Sequence, residues 1–151
     1  HQNLLVEIGG EVRSRGKKED GSLWRVGIEG PSEKLGSKLV KIITLNNFSM
    51  ATSGSYRNYL KLGDRVFNHT INPKTGAPIE HKTISVSVLH TYCADADAWA
   101  TALMSMGAEK GLELANRNDL MAYFQVLNGK EIQKIGTKAF NKFIKKPSQG
   151  R

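Results

Sequence analysis

Four strand-like runs crowd into the first 45 residues: LLVEI, EVRS, LWRVGI and KLVKIITL. The stretches between them are too short to carry a crossover helix, so the pairing open to these runs is antiparallel. KKEDGS, with its Asp-Gly, reads as a hairpin loop between the second and third runs. SYRNYLKLGDRVFNHTI reads as a further hairpin turning at Gly63-Asp64, and LMAYFQVLNGKEIQKI as another turning at Asn128-Gly129. The clean alternation of TISVSVL suits a half-buried strand.

Helical spacing enters late in the chain. From Asp95 to Met106 small and apolar residues recur at helical intervals, acid stands in the first turn where the helix dipole favours it, and Gly107 closes the element. AEKGLELANRN reads as a second short helix and KAFNKFIKK as one or two terminal turns. The expected fold class is therefore α+β: an antiparallel sheet with a helical hairpin packed on it.

A chain of 151 residues with 39% hydrophobic and 24% charged residues suits one domain with a real core. Its net charge of +8 raises the question of nucleic acid, but six of the 22 basic residues lie after Gln133, where no acid occurs. The rest of the chain carries 16 basic against 14 acidic residues, or +2. A basic end of this kind reads as a solvated tail, and no nucleic-acid partner is expected. The single cysteine, Cys93, excludes an intrachain disulfide and a thiolate cluster. No apolar run approaches the roughly 20 residues of a membrane-spanning helix, and HQNLLVEIGG lacks the pattern of a signal peptide.

Two places could carry chemistry. Asp97 and Thr101 are four residues apart on the expected helix and share a face, whereas Asp95 points elsewhere. Carboxylate and hydroxyl are hard oxygen donors of the type that Mg²⁺ or Ca²⁺ prefers, with water and phosphate filling the remaining positions. The plainer alternative is that the aspartates cap the helix and Thr101 bonds back to its own backbone. The second place is HTINPKTGAP, His69 to Pro78, a tight turn of amides and hydroxyls preceded by a residue able to move a proton near neutral pH. It too has a plain alternative, a surface hairpin whose histidine merely packs.

Other marked stretches read as structural. Gly9-Gly10 suits a bulge or close backbone approach, and Thr52, Ser53 and Gly54 suit a polar loop with no base beside it. His81 and His90 have no metal-like spacing, and neither a phosphate-binding Walker loop nor a dinucleotide glycine fingerprint is present.

Taken in order, LLVEIGGEVRSRG, WRVGIEGP, ATSGSYRNY, HTINPKTGAP, CADADAWATALMSMG and AYFQVLNG resemble the second half of the ApbE family of flavin transferases. The resemblance implies Mg²⁺-dependent cleavage of FAD, transfer of FMN to a threonine of an acceptor flavoprotein, and release of AMP. It further implies that Asp97 and Thr101 bind the metal, that Ile71, Asn72, Thr75 and Gly76 line the FAD site, and that His69 is the catalytic polar residue. Family members are about twice this length, so residues 1–146 correspond to the C-terminal part of the transferase domain and 147–151 to a flexible tail. Such a fragment is expected to be inactive alone. The family also implies a periplasmic parent, anchored to the inner membrane as a lipoprotein. Two departures stand out: Asn72 replaces a frequent aspartate, and Ala100 stands where some members carry a further acid, leaving the metal site one carboxylate poorer. A flavin-binding protein without turnover is the alternative, for which the missing carboxylate at Ala100 is the sequence hint.

Overall fold

The computed structural model describes residues 1–31, 39–55, 59–62 and 65–145. Along them run strands β1 (Leu4–Ile8), β2 (Glu11–Arg15), β3 (Trp24–Glu29), β4 (Leu39–Leu45), β5 (Ser49–Gly54), β6 (Tyr59–Leu62), β7 (Arg65–Asn68) and β8 (Thr83–His90). Helices α1 (Cys93–Met106) and α2 (Ala108–Arg117) follow, then β9 (Met121–Asn128), β10 (Glu131–Gly136) and helix α3 (Lys138–Lys145). Six strands form one antiparallel sheet in the order β1-β2-β5-β8-β9-β10. The pairs β3–β4 and β6–β7 are separate ladders. The α+β class holds, with an antiparallel sheet and a helical pair on one face.

Gly9 and Gly10 are the two-residue turn of the β1–β2 hairpin rather than a bulge, since Ile8 lies directly opposite Glu11. Their φ angles of +66° and +108° belong to glycine, because a Cβ would clash with the neighbouring carbonyl. The β9–β10 hairpin turns after Asn128 as its Asn-Gly predicts, with Asn128 opposite Glu131. β6 and β7 pair as a hairpin, while Gly63 and Asp64, like the tail beyond Lys145, lie outside the described residues.

Three further expectations are corrected. KKEDGS closes a local turn, with Gly21 N–H donating to Lys18 O at 3.0 Å and Lys18 N–H to Ser22 O at 2.8 Å, but the strands it joins do not pair. β2 takes β5 as its neighbour, and β3 leaves with β4 to lie over the sheet, where Ile28, Ile43 and Leu45 are at most 1% exposed. Burial of that apolar surface, rather than the turn, decides the partner.

The strand TISVSVL is covered on both faces rather than half-buried. Its Val86 and Val88 join Ala100, Leu103 and Met104 of α1 in one core, while Leu89 joins Ile28, Ile43, Leu45 and Phe140 in a second core on the opposite face. The serines between them face the β3–β4 side and are buried, which hydrogen bonds make tolerable. Ser87 Oγ lies 2.7 Å from Thr52 Oγ1. Third, Thr52, Ser53 and Gly54 are the end of β5, not a loop.

α1 is held by its buried stripe, with Ala96, Ala100, Leu103 and Met104 inward. Burial of each of the two larger side chains contributes about 1.5–3 kcal/mol. At its C-terminus Gly107 has φ +78° and its N–H donates to Leu103 O at 3.1 Å. His81 completes this end. Its Nε2 lies 2.7 Å from Met104 O and its Nδ1 accepts from Thr83 N–H at 3.3 Å, so the partners require a proton on Nε2 and none on Nδ1.

Candidate functional site

The inward stripe of α1 leaves Asp97 and Thr101 on the opposite side, where both are exposed. They stand four residues apart on one wall of a cavity of about 610 Å³. The other walls come from separate elements: Glu7, Gly9, Gly10 and Glu11 of the first hairpin, Val26, Gly27 and Glu29 of β3, and Thr52, Ser53 and Gly54 at the end of β5. His69, just after β7, also lines it. The structure thus brings His69 to the same cavity as Asp97 and Thr101, from which it is distant in the chain.

The turn of the first hairpin is tied by its own side chain, since Gly10 N–H donates to Glu7 Oε1 at 2.8 Å. Arg13 holds the neighbouring segments by donating through Nη1 to Asn47 O at 2.8 Å and Thr91 O at 2.7 Å. Thr91, two residues before α1, is thereby anchored to β2, the strand that follows the glycine turn. Asp95 does not line the cavity; it meets His90 Nδ1 at 3.3 Å near the start of the helix.

Ile71, Asn72, Thr75 and Gly76 fall in the turn following His69 and are not among the cavity-lining residues. The turn is stitched internally: Gly76 N–H and Thr75 N–H donate to Asn72 O at 2.9 and 3.2 Å, and Asn72 Oδ1 accepts from Lys74 N–H at 2.9 Å. Thr75 Oγ1 accepts from Ala77 N–H at 3.3 Å. Ile71 bridges to Pro78 and is 49% exposed.

Among the described residues four acidic side chains (Glu7, Glu11, Glu29 and Asp97) and no lysine or arginine line the cavity. Sequence reasoning missed the three glutamates. Their positions flanking the glycine pair and ending WRVGIE were visible, but which strand faces would converge was not. Cys93 lies beside this region with Sγ 4.0 Å from Val12 O. Burial first, and the Glu11 carboxylate second, push its thiol pKa up, so it stays protonated at neutral pH.

The donor chemistry fits a hard divalent cation better than a thiolate or imidazole site. One carboxylate and one hydroxyl from α1 suit an ion that keeps several waters and takes phosphate oxygens. Among the described residues no group of three or more His, Cys, Asp or Glu side chains converges as a complete cage. Ala100 is fully buried in the core under α1. A carboxylate at that position would face the core and not the cavity, so its absence takes nothing from the site.

A model of the ApbE family matches residues 1–124. The FAD:protein FMN transferase of Haemophilus influenzae is 39% identical over 141 residues, covering 93% of this chain and 41% of that protein. The Escherichia coli K12 FAD:protein FMN transferase is 38% identical over 140 residues, 93% of this chain and 40% of its own length. Among solved structures, the apo flavinyl transferase ApbE of Pseudomonas stutzeri superposes with a TM-score of 0.81 at 43% identity, covering 95% of this chain and 44% of that one. The ApbE protein of Thermotoga maritima gives 0.79 at 26% identity, covering 94% of this chain and 45% of that one. The chain therefore spans about two fifths of the length of the curated relatives it matches.

Proposed function

The chain belongs to the ApbE family, and from that premise we propose that the protein carrying it is an FAD:protein FMN transferase. The observation that supports this most is the convergence of His69, Asp97 and Thr101 on one cavity whose described lining residues carry four carboxylates, those of Glu7, Glu11, Glu29 and Asp97. A pyrophosphate carries negative charge, and such a wall repels it unless a cation intervenes. The implied partner of Asp97 and Thr101 is Mg²⁺, which when bound neutralises charge on the phosphate oxygens.

In the proposed reaction the hydroxyl oxygen of an acceptor threonine attacks the phosphorus of the FMN half of FAD. The new P–O ester bond forms as the pyrophosphate P–O bond breaks, AMP leaves with that bond's electron pair, and the threonine proton is released. Asp97 and Thr101 hold the charged end of the site, and His69 orients the threonine hydroxyl or accepts its proton. Ile71, Asn72, Thr75 and Gly76, which follow His69 in the chain, are assigned to FAD. A periplasmic parent on a lipid anchor is part of the same proposal. The non-transferring flavin carrier is the weaker reading, because Ala100, its sequence basis, belongs to the core.

The test is incubation of the full-length protein with FAD, MgCl₂ and a threonine-containing acceptor. AMP release with an FMN-sized mass gain on the acceptor is expected. Tight FAD binding with no AMP would replace this reading with the carrier.

A further inference from the structure

Gln125 of β9 is fully buried, yet it serves no regular ladder with its side chain. Its Nε2 donates twice, to Glu29 O of β3 at 2.8 Å and to Ser85 Oγ of β8 at 2.9 Å. Each partner sits at an irregularity. The β3–β4 register shifts between Ile28 and Glu29, and the β8–β9 register shifts between Thr83 and Ser85. Ser85 in turn lies opposite Gly54 of β5.

Both irregularities adjoin the cavity, for Glu29 and Gly54 are lining residues on different walls. Bulges re-aim backbone and side chains, and are common beside functional sites. Here the Glu29 carbonyl at one bulge is received by a buried amide from another sheet. The apolar contacts of Ile28, Ile43 and Leu45 hold the β3–β4 ladder on the sheet but are non-directional. The hydrogen bond to Glu29 O is directional and ties this end of β3 to β9, while the bond to Ser85 Oγ holds the amide in place within the main sheet.

Resting on the flavin-transferase reading, we infer that Gln125 is a positioning residue, which fixes the β3 wall of the cavity against the β5–β8 wall and so sets the affinity for FAD. It acts through the Glu29 backbone and touches no reacting atom. Its Oε1, without a hydrogen-bond partner among the described residues, is tolerated in the core. An apolar residue of similar size would avoid that unsatisfied oxygen, so keeping an amide here is explained by what its nitrogen positions.

The test compares full-length wild type with Gln125→Glu, which keeps the shape but loses the Nε2 donors, and with Ser85→Ala, which removes one acceptor and is the milder variant should the first not fold. Because the wall meets FAD equally before and during reaction, Gln125→Glu raises KM and Kd for FAD about tenfold while kcat stays within about twofold. Ser85→Ala moves both in the same direction by a smaller factor, and KM for the acceptor does not change. Folded variants with wild-type KM and Kd for FAD, whatever their thermal stability, overturn the inference and leave the transferase reading standing. Absence of AMP release in wild type overturns that reading instead. In that case equilibrium dialysis with FAD decides Gln125: a Kd weakened about tenfold upholds its role, and an unchanged one refutes it.

Discussion

At the scale of single residues, the division of α1 into an inward and an outward stripe decides what each substitution does. Asp97 is exposed, so Asp97→Ala in the full-length protein leaves the thermal midpoint close to wild type while metal-dependent AMP release falls by roughly a hundredfold or more. Thr101→Val acts in the same direction by about tenfold, a neutral oxygen contributing less to a dication than a carboxylate. A titration of AMP release against MgCl₂ checks both, and normal turnover in Asp97→Ala would remove the metal assignment. Cys93 gives a pH-dependent readout. Burial raises its folded pKa above the unfolded value, so the stability it contributes is fully present below the unfolded thiol pKa and is lost as pH rises through the folded one. Alkylation by iodoacetamide near pH 8 is expected to be at least about tenfold slower in the native chain than in urea, with its pH midpoint shifted upward. Equal rates would show that the thiol is not desolvated.

At the scale of elements, the junction of α1 and α2 is the most tightly specified. Gly107 combines φ +78° and ψ 165°, and a Cβ there would lie 2.7 Å from His81 Cδ2. Gly107→Ala therefore meets both a backbone penalty and a clash, and is expected to cost about 2–3 kcal/mol, read as a lower urea midpoint with unchanged slope. Removing the ring in a Gly107→Ala/His81→Ala double variant relieves the clash alone, so part of the loss returns if the geometry is right. The sequence marked this glycine as the helix end, and its chemistry as a helix stop is local. It gave no sign that His81, assigned a structural role by lack of metal spacing, would come from 26 positions away to hold the same end. The β1–β2 turn shows the same limit from the other side: two glycines between strand runs pointed to a backbone feature, and only the opposition of Ile8 to Glu11 distinguishes turn from bulge.

At the scale of the whole molecule, β8 and β9 contribute side chains to both cores, Val86, Val88, Ala122 and Phe124 to one and Leu89 and Tyr123 to the other. Neither layer can separate without exposing the other, so the 151-residue chain by itself is expected to unfold in one cooperative transition, followed by coincident far-UV and tryptophan signals. It is also expected to release no AMP from FAD, since it spans about two fifths of its relatives' length and Asp97 with Thr101 provides only part of a six-oxygen metal shell. Turnover by the isolated chain would show that the site is complete within it. What could be read along the chain was whatever depends on near neighbours: antiparallel pairing from short connections, α1 from its spacing and closing glycine, the hairpin at Asn128-Gly129, and the shared face of Asp97 and Thr101. Ordered blocks of residues also revealed the family. What lay beyond reach was every choice between partners distant in sequence. That β3 would lie over the sheet, that the serines of β8 would be buried and bonded, that three glutamates would join Asp97 around one cavity, and that Ala100 would face the core were decided by the tertiary structure, because burying apolar surface is non-directional and selects which faces meet only once all the elements are present together.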